Sequence, residues 1–172
     1  MDTKDIELYK QLHLQNQDYG ASGGVYFKEI ADFILDKNPK VVLDYGCGKG
    51  ALSDLIVRSQ LQAKVHSYDP AIKGKETIPL DNYDMIITTD VLEHLYEDEI
   101  DFIFSDMLKL KPVSMYHIVS HRLAHAILPD GSNAHKTVQA PEWWANRMRE
   151  SFSGYEIAYH CTDVGHFKVC KK

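Results

Sequence analysis

Cysteine is scarce in this chain, basic residues are outnumbered, and long apolar runs are missing. The three cysteines, Cys47, Cys161 and Cys170, are odd in number and widely spaced. Such a set fits neither a disulfide framework nor a cysteine zinc site, so a reduced, cytoplasmic protein is expected. No stretch approaches the ~20 consecutive apolar residues of a membrane helix. The opening MDTKDIELYK is charged and lacks the apolar segment of a secretory leader. Lysine and arginine total 19 against 25 aspartates and glutamates, for a formal net charge of −6. Phosphate-rich partners are met by basic surfaces, so a long duplex or an anionic membrane is disfavoured. No repeat or low-complexity linker divides the 172 residues, and one domain is expected.

What is present is an alternation of two periods. Ile6, Tyr9 and Leu12 give residues 4–15 a weak helical face, and YGASGG (19–24) breaks it. Phe27, Ile30, Ala31 and Ile34 predict a helix over 24–36. PKVVLDYG then reads as a strand buried on both faces. A helix of about 49–60 follows, marked by Leu52, Leu55 and Ile56. AKVHSYD (63–69), YDMIITTD (83–90) and VSMYHIVS (113–120) read as further strands. Ile100, Ile103, Phe104, Met107 and Leu108 form the strongest helical face, and Pro141 suits the first position of a last helix. YEIAYHCTDVGHFKVCK (155–171) predicts an antiparallel hairpin turning near Thr162–Gly165. Alternating strands and helices imply an α/β fold, a doubly wound and mostly parallel sheet with helices on both faces. Residues 70–82 are too few for a full helix and a full strand, so that crossover is abbreviated. A single domain is expected, with residues 1–36 as a helical cap and 37–172 as the core.

The stretch VVLDYGCGKGAL (41–52) follows a buried strand with an acid and three glycines. Glycine costs roughly 0.5–1 kcal/mol relative to alanine in regular structure, so three together mark a close approach to the backbone. Ligands of open α/β sheets bind beyond the strands' carboxyl ends. The dinucleotide fingerprint G-x-G-x-x-G/A can be laid on Gly46, Gly48 and Ala51. Asp44, two residues before Gly46, argues against it, because a carboxylate there would repel a pyrophosphate. The same charge suits a ligand that carries a cation. Asp69 ends the next strand and is placed to accept hydrogen bonds from ribose hydroxyls.

The string Asp44-x-Gly46-x-Gly48-x-Gly50 resembles motif I of the class I S-adenosylmethionine-dependent methyltransferases, a Rossmann-like superfamily, and DVLEHL (90–95) is similar to the end of its fourth strand. The resemblance implies S-adenosylmethionine as cofactor and S-adenosylhomocysteine as product. It places Tyr19, Asp44, Gly46, Cys47, Gly48, Gly50, Asp69, Pro70, Asp90 and Val91 against that cofactor. The family's usual adenine contacts lie in the segment shortened here, so Pro70–Ile72 and Leu80–Asp81 are expected to supply them.

Methyl transfer to a hydroxyl needs a base, whereas an amine needs only to be neutral. His94, His117, His121, His125 and His135 crowd one region, with His135 then His121 the expected bases. LPDGSNAH…PEWW resembles a pattern in small methyltransferases that modify sugars or other small polar molecules, with Trp143 and Trp144 as candidate pocket walls. Asp90, Glu93 and His94 also resemble the E-x-x-E-H cluster of enzymes that use Mg²⁺ or Mn²⁺, including small-RNA 2′-O-methyltransferases. A metal-free site is the preferred expectation. The leading reading is methyl transfer to an oxygen or nitrogen of a small polar acceptor. An RNA or DNA methyltransferase is the alternative, using Lys73, Lys75, Lys109, Lys111, Arg147 and Arg149, although the N/D-P-P-Y/F motif is absent. A catalytically silent cofactor-binding module is the third.

Overall fold

The computed structural model describes residues 5–172. Helix α1 (Ile6–Gln15) leads into a 3₁₀ turn, Ser22–Gly24, and helix α2 (Phe27–Lys37). Strand β1 (Val41–Tyr45), helix α3 (Ala51–Arg58) and strand β2 (Lys64–Tyr68) form the first crossover unit. Then come β3 (Met85–Thr89), a 3₁₀ turn at Leu92–His94, α4 (Glu97–Lys109) and β4 (Ser114–Val119). A long loop leads to α5 (Pro141–Ser151), and β5 (Tyr155–Cys161) and β6 (Gly165–Lys171) close the chain.

The six strands form one sheet in the order β2-β1-β3-β4-β6-β5. β2, β1, β3 and β4 run parallel, while β6 pairs antiparallel with both β4 and β5. This is the expected Rossmann-like sheet with its antiparallel hairpin. Successive residues of a strand point to opposite faces, and here both faces are covered. Leu43, Ile86, Met115 and Phe167 pack under Phe104 and Met107 of α4 and Met148 of α5. Val42, Met85, Ile87 and Tyr116 pack against Ile30 and Phe33 of α2 and Leu52 and Ile56 of α3. Burial on both sides is why these strands read as unbroken apolar runs.

Two boundaries differ from the sequence expectation. α2 begins at Phe27 because the 3₁₀ turn precedes it, and α3 begins at Ala51 because Gly50 has a left-handed φ of 92°. Between β2 and β3 the chain forms neither helix nor strand, which leaves β2 at the edge of the sheet. Strand order reverses about β1, with β2 on one side and β3 on the other. The crevice of such a sheet opens beyond the strand tips at that reversal. No described helix is long and apolar enough to cross a membrane.

Candidate active site

β1 delivers the chain into a tight turn over residues 46–50. Gly46 and Gly48 have φ of 74° and 51°, a backbone region that side chains disfavour. Space is the second constraint. A Cβ on Gly46 would lie 2.4 Å from Val91 Cγ2, and one on Gly48 2.3 Å from the Gly20 carbonyl. The bare main chain is thus covered partly by the protein itself, through the β3 tip and the N-terminal segment.

The turn's donors are all engaged within the chain. The N–H groups of Gly46 and Cys47 donate to the Tyr68 carbonyl at 2.7 and 3.0 Å. Gly48 N–H donates to Asp69 Oδ2 at 2.8 Å. Lys49 N–H donates to the Gly20 carbonyl and Gly50 N–H to the Cys47 carbonyl, each at 2.9 Å. A pyrophosphate site needs free N–H groups at its turn, and this turn has none to offer.

Asp44 requires a correction. Expected to face the ligand, it is instead 1% exposed beneath the turn and forms no part of the crevice wall. Its Oδ2 accepts a 2.7 Å hydrogen bond from Ser53 Oγ, which accepts in turn from Ser67 Oγ at 2.8 Å. Oδ1 is enclosed without a partner, and burial pushes the carboxyl up to about 6. The physical reason is the first turn of α3, which brings Ser53 over the strand tip. Gly50 is likewise off the wall, turned towards Lys75. Asp69 does reach the wall, as do Pro70 and Ala71, whereas Ile72, Leu80 and Asp81 do not. Asp69 Oδ1 accepts from Ala71 N–H at 2.8 Å, which leaves each carboxylate oxygen a further lone pair.

The crevice is a cavity of about 540 Å³. Its floor includes Gly46, Cys47, Gly48, Asp90 and Val91, and its roof is the N-terminal segment, with Tyr9, His13, Tyr19, Ser22 and Tyr26. Several bonds pin that roof. Tyr9 OH lies 2.7 Å from the Ala134 carbonyl and 3.1 Å from that of His94. Lys49 Nζ donates to the Asn16 carbonyl at 2.8 Å and also to that of Gln17. Asp5 pairs with Lys136 at 3.0 Å and accepts from Tyr96 OH at 3.1 Å. Leu12 packs on Leu128 and Ala134. The sequence reading named Tyr19 but missed Tyr9, His13, Ser22 and Tyr26. The YGASGG break signals a bend without saying what it bends over.

The histidines separate into three groups. His94 and His135 line the cavity with ring centroids 4.9 Å apart. His94 Nδ1 is 2.8 Å from the Ala134 carbonyl and His135 Nδ1 2.6 Å from that of Arg122. A carbonyl only accepts, so both Nδ1 atoms carry the proton and both Nε2 atoms hold a lone pair. Burial lowers His94 to about 3 and also lowers His135, which Asp90 nearby opposes. His125 is on the wall at an exposed position. His121 is not on the wall and has an enclosed, unpartnered Nδ1. His117 is fully buried, 2.9 Å from Thr88 Oγ1.

Asp90, Glu93 and His94 do not converge as metal ligands. Glu93 is fully buried, its Oε1 accepting from Ser120 N–H at 2.6 Å, and among the described residues no group of three His, Cys, Asp or Glu is placed to hold a metal. Trp144 belongs to the core and Trp143 packs beside it at 5.0 Å, so neither walls the cavity.

A family model described as a methyltransferase domain matches residues 20–152. The chain belongs to the class I S-adenosylmethionine-dependent methyltransferases. The methyltransferase shares its fold with 1,6-didemethyltoxoflavin-N1-methyltransferase of Burkholderia thailandensis, solved with 1,6-didemethyltoxoflavin and S-adenosylhomocysteine. That match has 12% identity over 96% of this chain and 88% of the other, with a TM-score of 0.67. The DhpI–SAH complex matches at 14% identity over 96% of both chains, TM-score 0.69. Human N-acetylserotonin methyltransferase in complex with SAM matches at 14% identity over 86% of this chain and 52% of the other, TM-score 0.64. No curated protein sequence matches the chain. The enzyme uses S-adenosylmethionine as its methyl donor.

Proposed function

We propose that the methyltransferase acts on an oxygen or nitrogen of a small polar acceptor, bound in the same roofed cavity as its cofactor. One observation carries this reading. A cofactor wall and two imidazoles with bare Nε2 atoms share a cavity of about 540 Å³, within the roughly 300–1,000 Å³ typical of small-molecule sites.

The residues fit the cofactor. Asp69 takes the ribose hydroxyls through its remaining lone pairs, and Gly46, Cys47 and Gly48 line the methionine end with main chain. Tyr45, Pro70 and Ala71, all on the wall, provide the surface for adenine where the shortened crossover supplies none. Asp44 acts from below, holding Ser53 and thereby the turn. When bound, S-adenosylmethionine supplies a methyl group activated by a sulfonium.

His135 is the general base in this reading. Its Nε2 is unprotonated at neutral pH, its orientation is fixed by the Arg122 carbonyl, and the Asp90 charge favours the imidazolium it becomes. His94, lowered further, accepts a hydrogen bond at Nε2 without becoming an imidazolium. The N-terminal segment excludes water, and its roof opens for exchange of ligands.

Among the described residues the cavity wall carries a single lysine or arginine, Arg122, so a polyanionic strand gains little there. The test uses S-adenosylmethionine with a deuterated methyl group, the enzyme and a cell extract, fractionated by size. Label in the small-molecule fraction supports the proposal. Label in RNA, DNA or protein alone overturns it.

A further inference from the structure

Asp90 follows β3 with φ of 52°, a left-handed backbone that few side-chain-bearing residues adopt. Strain of this kind persists where the surroundings impose it, and it clusters at ligand sites. Here it sets a carboxylate on the cavity wall, beside Ser22 of the roof. Tyr19 and Tyr26, also from the roof, lie close enough to feel its charge, and so does His135.

The other acids on the wall have different work. Asp5 is paired with Lys136, Glu99 accepts from Tyr96 N–H at 2.9 Å, and Asp69 holds the glycine turn. Asp18 lies at an exposed position of the roof. Arg122, the cation nearest Asp90, also reaches out to Asp163 at 3.4 Å, with both side chains about 60% exposed. Among the described acids of the wall, Asp90 is therefore the carboxylate left beside the His135 imidazole, with the phenols of Tyr19 and Tyr26 lining the same cavity. Carboxylate and aromatic faces together are a receptor for an ammonium group.

Resting on the methyl-transfer reading above, we propose that the acceptor is a small amine, docked on the Asp90 carboxylate and methylated on nitrogen. An ammonium has no lone pair, so it first gives a proton to His135 Nε2. The freed lone pair forms the N–C bond while the C–S electron pair passes to sulfur. The methylated nitrogen, now cationic, leaves as the ammonium or loses a proton to water. A hydroxyl acceptor would demand more of the base, because it has to lose its proton as the bond forms.

The labelled small-molecule fraction decides the matter after passage over a cation-exchange resin in acid. The expected result is label retained on the resin and stable to base, as an N-methyl group is. Label in the unretained fraction, or lost to base as from an ester, overturns the amine and leaves the small-acceptor reading standing. Label in neither small-molecule fraction counts against both. Asp90→Asn gives the second readout with the retained amine as substrate. Asparagine tolerates left-handed backbone, so the variant should fold, which a thermal melt checks. KM for the amine should rise by about 30-fold or more once its charge partner is gone. An unchanged amine KM would contradict the docking role.

Discussion

A carboxylate sealed under a turn behaves unlike one that faces a ligand. Asp44 was legible as a strand-end acid from its place before Gly46, but the direction of its side chain was not. That depends on Ser53, a residue of the next helix with no signal of its own in the motif. The correction has a measurable consequence. A carboxyl held near 6 in the fold and near 3.8 in the unfolded chain is at no disadvantage when protonated in both. Its share of stability is fully present below pH ~4 and is lost as pH rises through ~6. The loss is about 3 kcal/mol at most, from 1.36 kcal/mol per unit. Asp44→Asn keeps an acceptor for Ser53 without the charge, so it should raise the melting temperature at pH 7.5 and change it little at pH 4. Thermal melts at the two pH values check this; destabilisation at pH 7.5 would show that the buried charge supports the turn. Gly48 makes the companion case. Gly48→Ala meets the Gly20 carbonyl in a left-handed backbone, and a cost of about 1–3 kcal/mol is expected. Chemical denaturation measures it.

At the level of elements, strands and glycines were easier to read than what covers them. β1, β3 and β4 announced themselves because burial on both faces demands unbroken apolar runs. The abbreviated crossover was legible from length alone. α1 has one buried residue, Leu12, so its periodicity was faint, and its attachment runs through Tyr9 and Asp5 to residues far along the chain. Contacts that depend on tertiary placement leave no local pattern. Tyr9→Phe removes the hydroxyl that reaches the Ala134 carbonyl, a bond worth about 1 kcal/mol net. The variant should be cleaved about fivefold faster by protease between residues 16 and 25, with S-adenosylhomocysteine restoring most of the protection. Equal cleavage of variant and wild type, with ligand and without, would remove the roof from the account.

Over the whole molecule, the doubly wound sheet and its antiparallel hairpin follow from the order of apolar runs, and the cavity follows from the reversal of strand order about β1. The division of five clustered histidines into wall, rim and core did not follow, because the loop of His121, His125 and His135 has no period to give a facing, and burial on both faces of β4 hides that of His117. That division governs acid behaviour. His94 and His117 are each lowered to about 3 by burial, well below an unfolded value of 6.5. Their stabilisation is present above pH ~6.5 and declines as pH falls towards ~3, by several kcal/mol in sum. Asp44 acts in the opposite sense over the same range, but the two histidines outweigh it, so a plateau above pH ~6.5 and a net fall below it are predicted. His117→Gln, remote from the cavity wall, should flatten that fall in circular-dichroism melts recorded across the pH range. In the proposed function, cofactor binding rests most heavily on Asp69 and the turn it holds. Calorimetric titration of S-adenosylhomocysteine into wild type and into Asp69→Asn, with melts confirming that both are folded, tests it most directly. The prediction is one site per chain in the wild type and an affinity at least about tenfold weaker in the variant, the loss of a charge-assisted bond to a hydroxyl. Equal affinities would contradict it.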